Sequence, residues 1–245
     1  MGLAWDYRNP SGALAAWTGA PYIYTWSAYP PSDPMPDGMQ WYPHFWGPSK
    51  QSEFQAQISA GIIKPGMTIL GYNEPDQPGQ SNLAVGDAIN LYKQQITPYA
   101  SQGYRLATPG CVNDDTGFAW IQGFVDGCAG QCGFSVIQTH FYGTDAQAFI
   151  SYIQKLHDTF NMPIIISEWA AETFGNGPDL DPAQTQAFLA TCQSWLEAQS
   201  WVESYFYFGP VTSVALNRVN PNNQLIEDSG AISGLGWQYF NNGKN

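Results

Sequence analysis

Charge is scarce in this chain. Only 11% of its 245 residues are Asp, Glu, Lys or Arg, and 8 basic residues stand against 20 acidic ones, a formal net charge of −12. A surface so poor in cations repels phosphate backbones and anionic headgroups, which argues against nucleic acid and membrane surfaces as partners. Histidine is equally rare. His44, His140 and His157 lack the spacing of a metal site, and no glycine-rich phosphate loop or dinucleotide fingerprint occurs, so neither a metal nor a cofactor is expected. No apolar run approaches the roughly 20 residues of a membrane span, and the first residues lack the basic and apolar regions of a signal peptide. The acidic, lysine-poor composition with four cysteines points to a secreted form from which a signal peptide has been removed.

Apolar and aromatic residues are plentiful. Hydrophobic residues make up 44% of the chain and aromatic ones 15%, enough for a sizeable core and inconsistent with disorder. Trp, Tyr and Phe also offer flat apolar faces, some with polar edges, on which sugar rings can stack. The length fits one α/β barrel of about 250 residues, and no linker, repeat or low-complexity tract marks a boundary, so residues 1–245 are read as a single domain.

Short apolar runs recur at 3–6, 22–26, 40–46, 67–73, 104–109, 135–142, 163–169 and 204–208, and eight strands is the number that closes a (β/α)8 TIM barrel. Helical periodicity fills the later crossovers. Residues 82–103 step Ile89, Tyr92, Ile96, Tyr99, with Pro98 placed to kink the helix and Gly103 to end it. One-sided helices are also expected over 117–127 and 145–160, and Asp181-Pro182 supplies a capping residue followed by proline at the first helical position. Residues 28–39 hold four prolines where a second helix would lie, so the second crossover should be short or irregular. Cys128 and Cys132 are close enough in sequence to bridge a turn, while Cys111 and Cys192 fall on a strand end and a helix.

Two of these runs end on a carboxylate: Gly71-Tyr72-Asn73-Glu74-Pro75-Asp76 and Ile164-Ile165-Ile166-Ser167-Glu168-Trp169. Ligands of barrel enzymes bind at the carboxyl ends of the strands, and paired carboxylates there are the minimum apparatus for cleaving a glycosidic bond. Glu172 is the rival to Glu168 but lies beyond the strand. Asn73 places an amide beside Glu74 where it can bond a substrate hydroxyl. In His140-Phe141-Tyr142, alternation puts His140 and Tyr142 on one face, where Tyr142 can bond Glu168 and His140 can support the site. Trp5, Tyr24, Trp26, Trp46 and Trp169 fall at or near strand ends and are expected as sugar platforms, Trp46 and Trp169 foremost.

Together, Gly71-Tyr72-Asn73-Glu74-Pro75-Asp76, His140-Phe141-Tyr142-Gly143, Ser167-Glu168-Trp169-Ala170 and Phe208-Gly209 resemble glycoside hydrolase family 128, a match that spans essentially the whole chain. The resemblance implies a retaining clan A (β/α)8 enzyme acting on β-1,3-glucan, with Glu74 on strand four as acid/base and Glu168 on strand seven as nucleophile. The enzyme expected from this reading is a monomer that acts on the glucan in endo fashion. His44-Phe45-Trp46-Gly47 and Ser167-Glu168-Trp169 depart from the Pro-Met-x-Trp-Gly and Thr-Glu-Phe forms common there, without touching the catalytic pair. The competing readings are a related β-1,4-glucanase or mannanase, and a glucan-binding barrel without turnover.

Overall fold

The computed structural model describes residues 1–241, so the expected single domain includes four residues, 242–245, that lie outside the described part. Eight parallel strands run in chain order: β1 (Gly2–Ala4), β2 (Tyr22–Tyr24), β3 (Gln40–Trp41), β4 (Thr68–Ile69), β5 (Arg105–Leu106), β6 (Ile137–Tyr142), β7 (Ile164–Ala170) and β8 (Val202–Tyr207). Continuous ladders join them in the order β3-β2-β1-β8-β7-β6, with β4-β5 as a separate pair. Parallel bridges complete the ring, His44 to Leu70 between β3 and β4, and Ala107 to Val136 between β5 and β6.

The early strands are shorter than the apolar runs suggest. Pro43 and Pro109 lie just past β3 and β5 and have no N–H to donate to a ladder, so pairing there narrows to single bridges. The pairing is also irregular because the strands must converge closely. A Cβ on Gly71 would lie 2.6 Å from the backbone of Thr108 and 2.7 Å from the nitrogen of Pro109, so only glycine allows this approach.

Side-chain alternation separates two cores. Ala4, Tyr24, Tyr42, Leu70, Ala107, Val136, Ile165 and Phe206, one from each strand or its immediate extension, form one buried cluster that fills the barrel lumen. Their neighbours Leu3, Ile23, Trp41, Ile69, Leu106, Ile137, Ile164 and Tyr205 belong to the larger cluster beneath the helices.

The helices are α1 (Gln51–Ser59), α2 (Val85–Gln95), α3 (Asp115–Cys128), α4 (Ala146–Phe160), α5 (Pro182–Glu197) and α6 (Gly234–Phe240). The second crossover, residues 25–39, forms no helix, as its prolines require. The segment expected as one helix over 82–103 divides into α2 and a 3-10 turn at Thr97–Gln102. Pro98 opens that turn and Gly103 ends it in the left-handed region, at φ 86. Asp145 caps α4, and Asp181 makes a full capping box with Gln184 at α5. Cys128 and Cys132 form a disulfide at the end of α3, while Cys111 and Cys192 are free and buried. From α6, the Tyr239 hydroxyl donates to the carbonyl of Gly2 (2.7 Å), lies 3.1 Å from the carbonyl oxygen of Tyr205, and accepts from the N–H groups of Gly2 and Tyr207. One side chain thus spans the seam between the first strand and the last.

Adding a methyl group should therefore have opposite effects at two glycines. Gly71→Ala forces backbone apart and is expected to cost about 1–3 kcal/mol. Gly123→Ala, inside α3 with only ordinary contacts to Val85 at 3.6 and 3.7 Å, should gain about 0.5–1 kcal/mol from lost unfolded-state freedom. Chemical denaturation of both variants measures the two signs.

Candidate active site

A regular strand sends only every second side chain to the barrel mouth. At β7 the repeat is broken: Thr139 pairs with Ile166 and His140 with Glu168, which leaves Ser167 as an extra residue. Ile165 faces the lumen, Ser167 accepts a hydrogen bond from Gln138 Nε2 at 2.9 Å, and the bulge then turns Glu168 inward as well. After β4 the backbone supplies a different break. Glu74 has a left-handed φ of 40°, so Asn73 and Glu74 both line the cleft although they are adjacent in sequence. β6 keeps its repeat, and His140 and Tyr142 share the inner face while Phe141 packs outward on Phe149.

These elements bring Glu74, His140 and Glu168 together, with one oxygen or nitrogen from each lying within 4.8 Å of the others. His140 is fully buried. Its Nδ1 lies 2.8 Å from Glu74 Oε1, and its Nε2 is 3.7 Å from Glu168 Oε1. Glu168 is surrounded by donors: Trp26 Nε1 (2.5 Å) and the Tyr24 hydroxyl (3.4 Å) on Oε1, and the Tyr142 hydroxyl (2.6 Å) on Oε2. A carboxylate fed only by donors is held as an acceptor, whereas Glu74 has a single side-chain partner that itself exchanges protons.

Three such ligand types could in principle hold a cation. Here His140 Nδ1 already engages Glu74, and both Glu168 oxygens accept ring or hydroxyl donors, so a metal would have to displace these bonds.

Burial raises the Glu168 carboxyl above its ordinary range; His140 and the bonds from Tyr142 and Trp26 pull it back, while Glu74 pushes it up. Burial works against the charge on His140, but Glu168 and Glu74 outweigh it and lift the imidazole to about 8. Burial and the adjacent Glu168 raise the Tyr24 and Tyr142 phenols far above their usual range, so both remain donors.

The pair opens into a cleft of about 980 Å³ lined by Trp26, Trp46, Asn73, Tyr142 and Phe208, among others. The amide of Asn73 donates to Gln80 (3.1 Å), and its Oδ1 is buried without a partner. Among the expected platforms, three need correction. Trp169 is fully buried between Phe149, Phe188 and Tyr207, because the bulge at Ser167 reverses the alternation and sends it outward beneath the helices. Trp5 is 3% exposed and belongs to the same outer core, since alternation puts Leu3 and Trp5 there and Ala4 in the lumen. Tyr24 is fully buried and meets Glu168 from below instead of facing the cleft. Trp26 does line the cleft, but its left-handed backbone (φ 52) also aims the indole N–H at Glu168.

Sequence reasoning missed Phe208, which meets both Trp26 and Tyr142 edge-on, and Phe174, whose ring centroid is 5.0 Å from that of Tyr142. The Phe208-Gly209 pair carried a signal for the first. Phe174 sits on a loop without periodicity and gave none.

Residues 2–239 match the family model described as glycosyl hydrolase catalytic core. In solved structures, the chain is similar to a family 128 (subgroup I) endo-β-1,3-glucanase from Amycolatopsis mediterranei in complex with laminaritriose. The two are 27% identical, with 98% of each chain covered and a TM-score of 0.82. It is also similar to a family 128 (subgroup III) curdlan-specific exo-β-1,3-glucanase from Blastomyces gilchristii, in complex with glucose. That pair is 26% identical, covers 97% of this chain and 96% of the other, and has a TM-score of 0.78. A curated relative, alkali-sensitive linkage protein 1 of Schizosaccharomyces pombe, is 28% identical over 221 residues, which is 83% of this chain. The match spans 40% of that relative's length.

His140 carries a pH signature. The folded protein holds its proton between the ordinary value of 6.5 and about 8, whereas the unfolded chain releases it over that interval. Its contribution to stability is therefore complete below pH 6.5 and lost as pH rises through about 8. The thermal midpoint should fall across that window by a few degrees, and His140→Gln should flatten the fall. An unchanged slope in the variant would mean that the imidazole is not charged there.

Proposed function

The chain belongs to the glycosyl hydrolase catalytic-core family, alongside the enzymes of glycoside hydrolase family 128, and on that premise we propose that it cleaves β-1,3-glucan by a retaining double displacement. One observation carries the stereochemistry. One oxygen of Glu74 and one of Glu168 come within 4.8 Å of each other, a spacing nearer to the roughly 5–5.5 Å of retaining pairs than to the about 6.5–9.5 Å that holds a water in inverting pairs.

In the first step Glu168 attacks the anomeric carbon from its cage of Trp26, Tyr24 and Tyr142 donors, which hold the attacking oxygen in place. Glu74 donates its proton to the leaving oxygen. In the second step Glu74 takes a proton from water, and that water displaces Glu168 from the glycosyl intermediate. His140, joined to Glu74 and near Glu168, supplies positive charge that follows the movement of negative charge between them. Asn73 lines the cleft beside Glu74, where its side chain is placed for a sugar hydroxyl, and Trp26, Trp46 and Phe208 give the cleft its apolar faces.

We read residues 1–245 as one catalytic unit, monomeric and secreted, acting within glucan chains. The Cys128–Cys132 disulfide supports an oxidising compartment, and no helix among the described residues is long and apolar enough to cross a membrane.

Incubation with linear β-1,3-glucan should yield oligosaccharides whose new reducing ends first appear by NMR in the β configuration. Glu74→Gln should lower kcat by about 10²–10⁴-fold, and Glu168→Gln should lose turnover while still binding the glucan. Initial products in the α configuration would overturn the retaining mechanism, and cleavage confined to β-1,4-linked substrates would overturn the specificity.

A further inference from the structure

Two loops rise over one side of the cleft, residues 171–181 after β7 and 208–233 after β8, and a glutamate outside the reacting pair joins them. Glu172 is 2% exposed, and all its hydrogen bonds are with backbone. Its Oε1 accepts from the N–H groups of Thr173 (2.8 Å) and Phe174 (2.5 Å), and its Oε2 accepts from the N–H of Asn220 across the gap (2.5 Å). Three asparagines stitch the same seam. Asn220 and Asn222 both donate to the Leu180 carbonyl, and Asn223 exchanges two bonds with the backbone of Ala171.

Beyond this seam the loop tips turn to the cleft. Phe174, 40% exposed, holds a left-handed backbone (φ 52) that a bulky residue rarely adopts, and its N–H is one of those fixed by Glu172. Arg218 lines the cleft from the other loop. The Phe174 ring lies one ring outward from Tyr142, whose hydroxyl holds Glu168.

We propose that Glu172 is a positioning residue that locks the two loops into one wall, and that Phe174 and Arg218 on this wall form the sugar subsite adjoining the reacting one. The inference rests on the glycosidase reading. Phe174 offers a face to the C–H side of a sugar ring, and Arg218 offers fixed donors to its hydroxyls. Glu172 touches no substrate. It acts by keeping the left-handed turn at Phe174 and the approach of Asn220 in place.

The test uses the full chain with linear β-1,3- and β-1,4-linked gluco-oligosaccharides of three and six units. With the linkage that the wild type cleaves, Phe174→Ala should lower kcat/KM for the hexasaccharide about tenfold, through KM. Glu172→Ala should raise KM in the same way with kcat little changed, and tryptic cleavage after Arg218 should accelerate several-fold as the wall loosens. Glu172→Gln keeps one acceptor oxygen and should fall between the two. A loss of kcat at unchanged KM in Glu172→Ala, or KM and tryptic rates equal to wild type, overturns the positioning role. An unchanged KM in Phe174→Ala overturns the subsite. Cleavage of β-1,4 linkages alone overturns the specificity proposed above but still reads the wall through the same ratios, and the tryptic arm reads the clamp with no substrate present.

Discussion

A strand with a two-residue repeat cannot deliver adjacent side chains to the same place, and the site depends on where this chain escapes that limit. Ser167 does so by stepping out of register, which brings Glu168 over the lumen behind Ile165 and Ser167. Glu74 does so by a left-handed backbone that keeps it beside Asn73 at the cleft. Trp26 uses the same device to put its indole N–H on Glu168. Such conformations cost of order 1–3 kcal/mol each and persist because surrounding structure fixes them. At Glu74 that structure is the N–H bond to the Gly110 carbonyl (2.8 Å), and the neighbouring Asn73 N–H binds the Trp46 carbonyl (2.9 Å).

Once the carboxylates are adjacent, burial works on them unequally. Glu168 loses water but gains three ring-borne donors, and Glu74 gains only an imidazole. His140 lies between the two acids, 2.8 Å from one and 3.7 Å from the other, and their proximity outweighs its burial in favouring the charged imidazole. The rigid lumen below, filled by one side chain per strand, holds this arrangement against a packed floor.

The eight-strand count, the prolines that deny a helix to the second crossover and the Asp181-Pro182 start of α5 were legible in the sequence because each depends on local chemistry. So was the common face of His140 and Tyr142, since β6 runs without a break. Trp169 was not, because its direction depends on a pairing with residues far away in the chain that inserts one extra residue at Ser167. The same limit hid the role of Trp26, whose aim is set by a backbone turn that a tryptophan seldom adopts. The Phe174 and Arg218 wall was hidden further still. Its loops are held by asparagines and a glutamate bonded to backbone, a pattern that leaves no periodicity to read.

The hydroxyl of Tyr239 bonds to backbone at residues 2, 205 and 207, so the circle of strands closes around a contact separated by 237 positions in sequence. A chain emerging from the ribosome must therefore hold its first strand unpaired on one edge until β8 and α6 have been made. An exposed parallel edge is open to association with other nascent chains, so the speed with which α6 docks sets how long that exposure lasts. In this fold, the last helix governs vulnerability during synthesis more than it shapes the catalytic face.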